Sequence, residues 1–193
     1  MLTAATVRSV LHGRVGIGVV NDEELDDFAR GRLAAAHASA EIGARLAEIP
    51  SGDDRAPIWP PGIVGSIAHT RRVAVAIVAS DGDFRALGVD VEATDRVVEE
   101  RTSERIGSIQ ELGALPDPAA LILFCAKEAT YKAMAPLGAT RLGFHDVVYT
   151  PSFPGVLEGR LVDGSVDRRV PRAFRAGYAI ADGHVVAAVQ VER

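Results

Sequence analysis

From residue 63 onward the chain alternates short, strongly apolar runs with polar punctuation. Ile63 to Ile67, Val73 to Ala79 and Leu87 to Val91 are rich in β-branched residues, and His69-Thr70-Arg71-Arg72 and Asp81-Gly82-Asp83 separate them as turns. This stretch predicts an antiparallel meander. A second group of strand-like runs, Asp146 to Tyr149, Val156 to Val162, Ala176 to Ala181 and Val185 to Val191, carries a turn at Asp182-Gly183. Two long helices are predicted. The first is the Ala-rich segment from Asp22 to Leu46, capped at Asn21 or Asp22; the second runs from Pro118 to Met134, ahead of Pro136 and Gly138. Glu99 to Leu112 reads as a short polar helix and loop, and Ser51-Gly52-Asp53-Asp54 with Trp59-Pro60-Pro61-Gly62 reads as an irregular connection. The sum is an α+β protein of two halves, each a small, mainly antiparallel sheet with one long helix, divided near residue 95 into 1–95 and 96–193.

Composition narrows the function without naming it. A chain of 193 residues with 48% hydrophobic and 24% charged positions can bury a full core, and a net charge of −5 argues against bulk nucleic-acid binding. Apolar runs such as Val73 to Ala79 are far shorter than the roughly twenty residues a membrane helix needs, and no signal-type segment opens the chain. A soluble, cytoplasmic monomer is expected. The single cysteine, Cys125, falls in the apolar part of a helix, where a core role is expected rather than chemistry.

Chemistry concentrates in two places. In Leu87-Gly88-Val89-Asp90-Val91-Glu92 the acids are two apart, so on a strand Asp90 and Glu92 share one face while Val89 and Val91 enter the other. Paired carboxylates repel each other unless solvent or a cation compensates, and such hard oxygen ligands suit Mg²⁺. A solvated strand edge is the simpler reading of that pattern alone. In Phe124-Cys125-Ala126-Lys127-Glu128-Ala129-Thr130-Tyr131-Lys132, helical spacing puts Glu128 and Lys132 one turn apart, which alone reads as a surface ion pair worth about 0.3–0.5 kcal/mol. Lys127 points to a neighbouring face, as a secondary contact or a solvated lysine.

Together these stretches resemble the G-[VI]-D-[VI]-E strand and the W/F-x-x-K-E-[SA]-x-x-K helix of the phosphopantetheinyl transferase superfamily. Arg55-Ala56-Pro57-Ile58-Trp59-Pro60-Pro61-Gly62-Ile63-Val64-Gly65-Ser66-Ile67-Ala68-His69 resembles that family's R-x-P-x-W-P-x-G-x-x-G-S-I-S-H element, as found in its siderophore-synthesis branch. Phe28-Ala29-Arg30-Gly31-Arg32-Leu33-Ala34-Ala35 is similar to its F-x-x-G-R-x-x-A stretch. The resemblance implies a pseudo-dimer with its site in the cleft between halves. It implies Mg²⁺-dependent transfer of 4′-phosphopantetheine from coenzyme A to a serine of an acyl, peptidyl or aryl carrier protein, releasing adenosine 3′,5′-bisphosphate. Asp90, Glu92 and Glu128 then hold the metal, and Lys132 neutralises phosphate and serves catalysis beside Glu128. Arg32, Arg55, Ser66, His69 and Lys132 bind coenzyme A, with His69 on its 3′-phosphate.

Ala68 stands where the family has serine, removing a hydroxyl expected to face phosphate. The general base stays open among Glu128, a water of the metal's shell, and Glu99, Glu100 and Glu104. For carrier docking, Arg71, Arg72 and the cluster Arg168, Arg169, Arg172 and Arg175 are candidates for a basic rim. Two further readings compete: a coenzyme A- or carrier-binding protein without turnover, and a Mg²⁺ phosphohydrolase needing no protein acceptor.

Overall fold

Asp26, rather than Asn21 or Asp22, starts the first long helix. In the computed structural model, which describes all residues except 45, 47, 54, 140, 141 and 163–166, the Asp22 carboxylate is spent on a tight turn, accepting the N–H of Glu24 at 2.8 Å. Asp26 then accepts the N–H of Ala29 at 2.7 Å and caps α2 (Asp27–Glu41). The helix ends ahead of Gly43, which holds a left-handed φ of 78°, so the expected extent of 22–46 is shortened at both ends; position 45 lies outside the described residues, as does Asp54 of the loop.

Before it come a short α1 (Ala4–Arg8) and a strand, β1 (Gly16–Asn21). After it come β2 (Ile63–Thr70), β3 (Val73–Ser80), β4 (Phe84–Ala93), α3 (Glu100–Ile106), α4 (Ile109–Gly113) and α5 (Ala119–Met134). The chain closes with β5 (Val147–Phe153), β6 (Val156–Leu161), β7 (Ala173–Ala181) and β8 (His184–Glu192).

The strands form two antiparallel sheets, ordered β1-β3-β2 and β4-β8-β7-β6-β5. The expected meander holds for β2 and β3 but not for β4. Both edges of β3 are taken, by β1 and by β2, so β4 crosses over and pairs with β8, with Asp90 opposite Ala187. The chain thus changes sheets at residues 81–83, ahead of residue 95.

Strand alternation sorts the core into layers. Val73, Val75, Ile77 and Ala79 of β3 face Leu87, Val89 and Val91 of β4 and Val186 and Ala188 of β8, giving a core between the sheets. Ala74, Ala76 and Val78 turn the other way, onto Ala34, Ala35 and Ala38 of α2. Val185, Ala187 and Val189 turn onto Ile122, Ala126 and Ala129 of α5. The order is α2, sheet, sheet, α5, and the two halves share one path: the first strand pairs with the last, and the last with the strand before it.

They also share a device. A Cβ on Gly18 of β1 would lie 1.8 Å from the Ala34 carbonyl oxygen, and one on Gly88 of β4 would lie 1.8 Å from that of Ala129. Each helix therefore rests its backbone directly on a strand glycine. Among the described residues no helix is long and apolar enough to cross a membrane.

Candidate active site

Gly88 brings α5 so close to β4 that side chains flanking the contact must interleave. On that face of β4, Asp90 and Glu92 project toward α5, which contributes Glu128 and Lys132. Asp90 is buried, and its Oδ1 accepts from Lys132 Nζ at 2.7 Å. Lys132 also donates to the Val89 carbonyl at 3.0 Å. Its partner is thus Asp90 across the interface, not Glu128 along the helix, so the i,i+4 surface pair is not what forms.

Glu92 pairs instead with Arg96, whose guanidinium lies 4.7 Å from the centre of the Phe124 ring. Burial pushes the Glu92 carboxyl up, and Asp90 adds to this, against the pull of Arg96 and Lys132. The Glu128 carboxyl is likewise raised, by burial first and then by Asp90 and Glu92. Three acids are therefore close enough to repel one another, with two cations only partly offsetting them. Asp90 Oδ2 is buried without a hydrogen-bond partner. A buried oxygen lacking a donor, within a group of mutually repelling carboxylates, is an arrangement that a hard divalent cation completes. Among the described residues, no three His, Cys, Asp or Glu side chains are already gathered as a ligand cluster, since Asp90 and Glu92 are drawn to Lys132 and Arg96.

The other candidates divide. Along β2, Ser66 and Ala68 point into the core between the sheets, whereas Ile67 and His69 turn toward α2. Ser66 is buried and its hydroxyl accepts the Val89 N–H at 3.1 Å, which makes it a bridge to β4 rather than an open phosphate contact. Ala68 is 2% exposed in that same core, so a serine hydroxyl there would face apolar side chains rather than the phosphate expected for it. His69 is half-exposed, 3.5 Å from Asp27 at the start of α2. The Ser66–Val89 and Arg71–Asp95 contacts run in step, so His69 and Glu92 emerge toward the same end of the interface.

Arg32 stacks on Phe28 at 4.5 Å and donates to Ser51 at 2.9 Å, fastening the loop to α2, while Arg55 is exposed at a left-handed φ of 66°. Neither touches the acid group. Much of the expected basic rim is paired: Arg71 with Asp95, Arg72 with Glu23, Arg169 with Asp167 and Arg175 with Glu158. A pocket of about 630 Å³ opens where the halves meet, lined by Thr70, Arg71 and Arg72 from one and Ala93, Thr94 and His184 from the other. It begins one residue beyond Glu92.

Lys127 departs most from expectation. It is fully buried, 3.1 Å from Glu111 Oε1 and donating to the Phe144 carbonyl at 2.8 Å. Burial lowers its ammonium below the ordinary lysine range although Glu111 pulls it up. Burial also pushes the Glu111 carboxyl up, but N–H groups of Ser108 and Tyr149, with Lys127, bring it below its usual value. Ser108-Ile109-Gln110-Glu111 is a capping box, a signal that could have singled out Glu111 in advance. Arg96 had no such signal, because it follows the strand in a turn. Cys125 is buried, with its thiol pushed well up by burial and by Asp90 and Glu92, in keeping with a core role.

Residues 22–79 match the family described as the 4′-phosphopantetheinyl transferase N-terminal domain, and residues 86–188 match the 4′-phosphopantetheinyl transferase superfamily. The chain is 34% identical to the 4′-phosphopantetheinyl transferase Npt of Nocardia iowensis, over 84% of this chain and 80% of that protein. It is 35% identical to the 4′-phosphopantetheinyl transferase PptT of Mycobacterium tuberculosis, over 85% and 78% respectively. Enterobactin synthase component D of Salmonella typhimurium is 32% identical over 77% of this chain and 60% of its own length. With both halves matched in order, the chain belongs to the 4′-phosphopantetheinyl transferase superfamily.

Proposed function

We propose that this protein transfers the 4′-phosphopantetheine arm of coenzyme A to a serine of an apo acyl, peptidyl or aryl carrier protein, releasing adenosine 3′,5′-bisphosphate. The observation that carries the reading is the grouping of Asp90, Glu92 and Glu128 against Lys132, with Asp90 Oδ2 left without a donor. Asp90, Glu92 and Glu128 are the residues to hold Mg²⁺. When bound, the ion supplies charge neutralisation for the pyrophosphate.

In the reaction the serine oxygen forms a bond to the phosphorus bearing the pantetheine arm, and the bond from that phosphorus to the bridging oxygen breaks. Lys132, a compact ammonium, offsets the charge that builds on the leaving phosphate. Glu128, on the face of α5 that carries Lys132, is the carboxylate to accept the serine proton. His69 and the arginines Arg32 and Arg55 provide positive or hydrogen-bonding groups for the nucleotide end, and the pocket beyond Glu92 offers an approach for the acceptor. We further read the protein as a cytoplasmic monomer serving carriers of siderophore or related secondary metabolism, on the likeness to enterobactin synthase component D.

The test is mass spectrometry of an apo-carrier incubated with the protein, coenzyme A and Mg²⁺. A gain of one phosphopantetheine arm, absent without Mg²⁺, is the expected result. Nucleotide cleavage with an unmodified carrier would convert the reading to a phosphohydrolase, and coenzyme A binding with no change in either molecule would leave a binding protein.

A further inference from the structure

Of the 21 lysines and arginines in this chain only two are lysine, and both lie on α5, at positions 127 and 132. Everywhere else the cation is arginine. Lysine offers a compact ammonium with three rotatable donors where arginine presents a wide planar fork, so the two positions share a need for a small point charge in a confined place. At Lys132 the need is plain from Asp90 and the Val89 carbonyl. At Lys127 the confinement is that of the core, on Glu111 and the Phe144 carbonyl.

Lys127 points away from the acid group, into the junction of four elements. Its ammonium meets Glu111 of α4 and the carbonyl of Phe144, at the head of the short 3₁₀ turn Phe144–Asp146 that leads into β5. The Glu111 carboxylate is itself tied at both oxygens, by the N–H of Tyr149 on β5 at 3.0 Å and by the N–H and hydroxyl of Ser108 at 3.0 and 3.1 Å. An ion pair this deep is a poor way to add stability, because apolar residues of similar volume fill such a space with no desolvation penalty. What it adds is direction. Hydrogen bonds fix the angle of one side chain about the helix axis, which packing alone leaves looser, and on a helix successive residues are separated by a fixed rotation.

We propose that Lys127, held by Glu111, is the positioning residue of the site: it sets the rotation of α5 so that Glu128 and Lys132 face Asp90 and Glu92. Lys127 touches neither substrate nor the acid group and acts only through its neighbours on the helix.

Two lysines give two side-chain signals, which makes the test direct. In metal-free protein labelled with ¹³C at lysine Cε, the ε-methylene protons of Lys132 are held inequivalent by Asp90 and Val89. In Lys127→Met the single remaining lysine signal collapses toward that of a free side chain, and kcat for transfer falls about 10²-fold, the scale of a misplacement near 1 Å, with KM for coenzyme A little changed. The double variant Lys127→Met/Glu111→Gln leaves no stranded buried charge and keeps an acceptor for the Tyr149 N–H, so it folds while kcat stays as low. Recovery of wild-type kcat and of an inequivalent Lys132 signal in the double variant would overturn the proposal, since uncharged filling would then suffice. The kinetic readout rests on the transferase reading and the resonance does not. Wild-type protein that fails to transfer refutes that reading alone.

Discussion

The Ser66 hydroxyl accepts the Val89 N–H at 3.1 Å, and this joins the two halves at the strand that carries the acids. β4 is the edge of its sheet, so alternate peptide groups turn away from β8 toward the other half. At Val89 both are filled by side chains, the N–H by Ser66 and the carbonyl by Lys132. Ser66→Ala strands that buried N–H and is expected to cost about 1–3 kcal/mol in urea unfolding. KM for coenzyme A should stay near the wild-type value. A raised KM with unchanged stability would instead return Ser66 to the cofactor.

Asp90 has one oxygen on Lys132 and the other without a donor. Asp90→Asn keeps the shape and removes the charge, so kcat is expected to fall about 10²–10³-fold, the range for losing one charge-stabilising group. The thermal midpoint should move by only a few degrees. Steady-state kinetics beside a melting curve separate this loss from unfolding.

Glu128 predicts an unusual pH response. Its carboxyl is raised by burial and by Asp90 and Glu92, so the folded protein holds that proton more tightly than the unfolded chain does. Such a group favours folding below the unfolded value of about 4.3, and this contribution is lost as pH rises through the folded pKa. Glu128→Gln should therefore melt above wild type at pH 7, with the gap closing as pH falls toward 4. Added Mg²⁺ should raise the wild-type midpoint and leave the variant's unchanged.

Ala68 and His69 sit side by side and face opposite ways. Ala68→Ser places a hydroxyl in the core, with an expected cost of about 1–3 kcal/mol and no change in the preference for coenzyme A over dephospho-coenzyme A. His69→Ala should lower kcat/KM for coenzyme A more than for the dephospho donor. Comparison of the two donors across the three proteins checks both outcomes.

The acids were legible because a strand has a period of two, which puts Asp90 and Glu92 on one face whatever the sheet around them. Which sheet that would be was not legible. Adjacency in sequence favoured β3 as the partner of β4, and only the occupation of both β3 edges shows why β8 takes that place. Lys127 is buried where one expectation was a solvated lysine, for a related reason: helical spacing tells which residues share a face but not whether that face meets solvent or another element. The start of α2 turned on a competition between Asp22 and Asp26 for the same capping task, decided by a local turn that composition does not rank.

The glycine seats under α2 and α5 set the two halves side by side. Two residues beyond Gly18 comes Val20, buried against α2; two residues beyond Gly88 comes Asp90. The same place in a repeated framework is thus filled once with a hydrocarbon and once with a carboxylate. One copy gives its helix an apolar contact, and the other turns a carboxylate toward Lys132. Val20 is thus held by the α2 packing alone, whereas Asp90 meets a lysine that is itself anchored on the Val89 carbonyl.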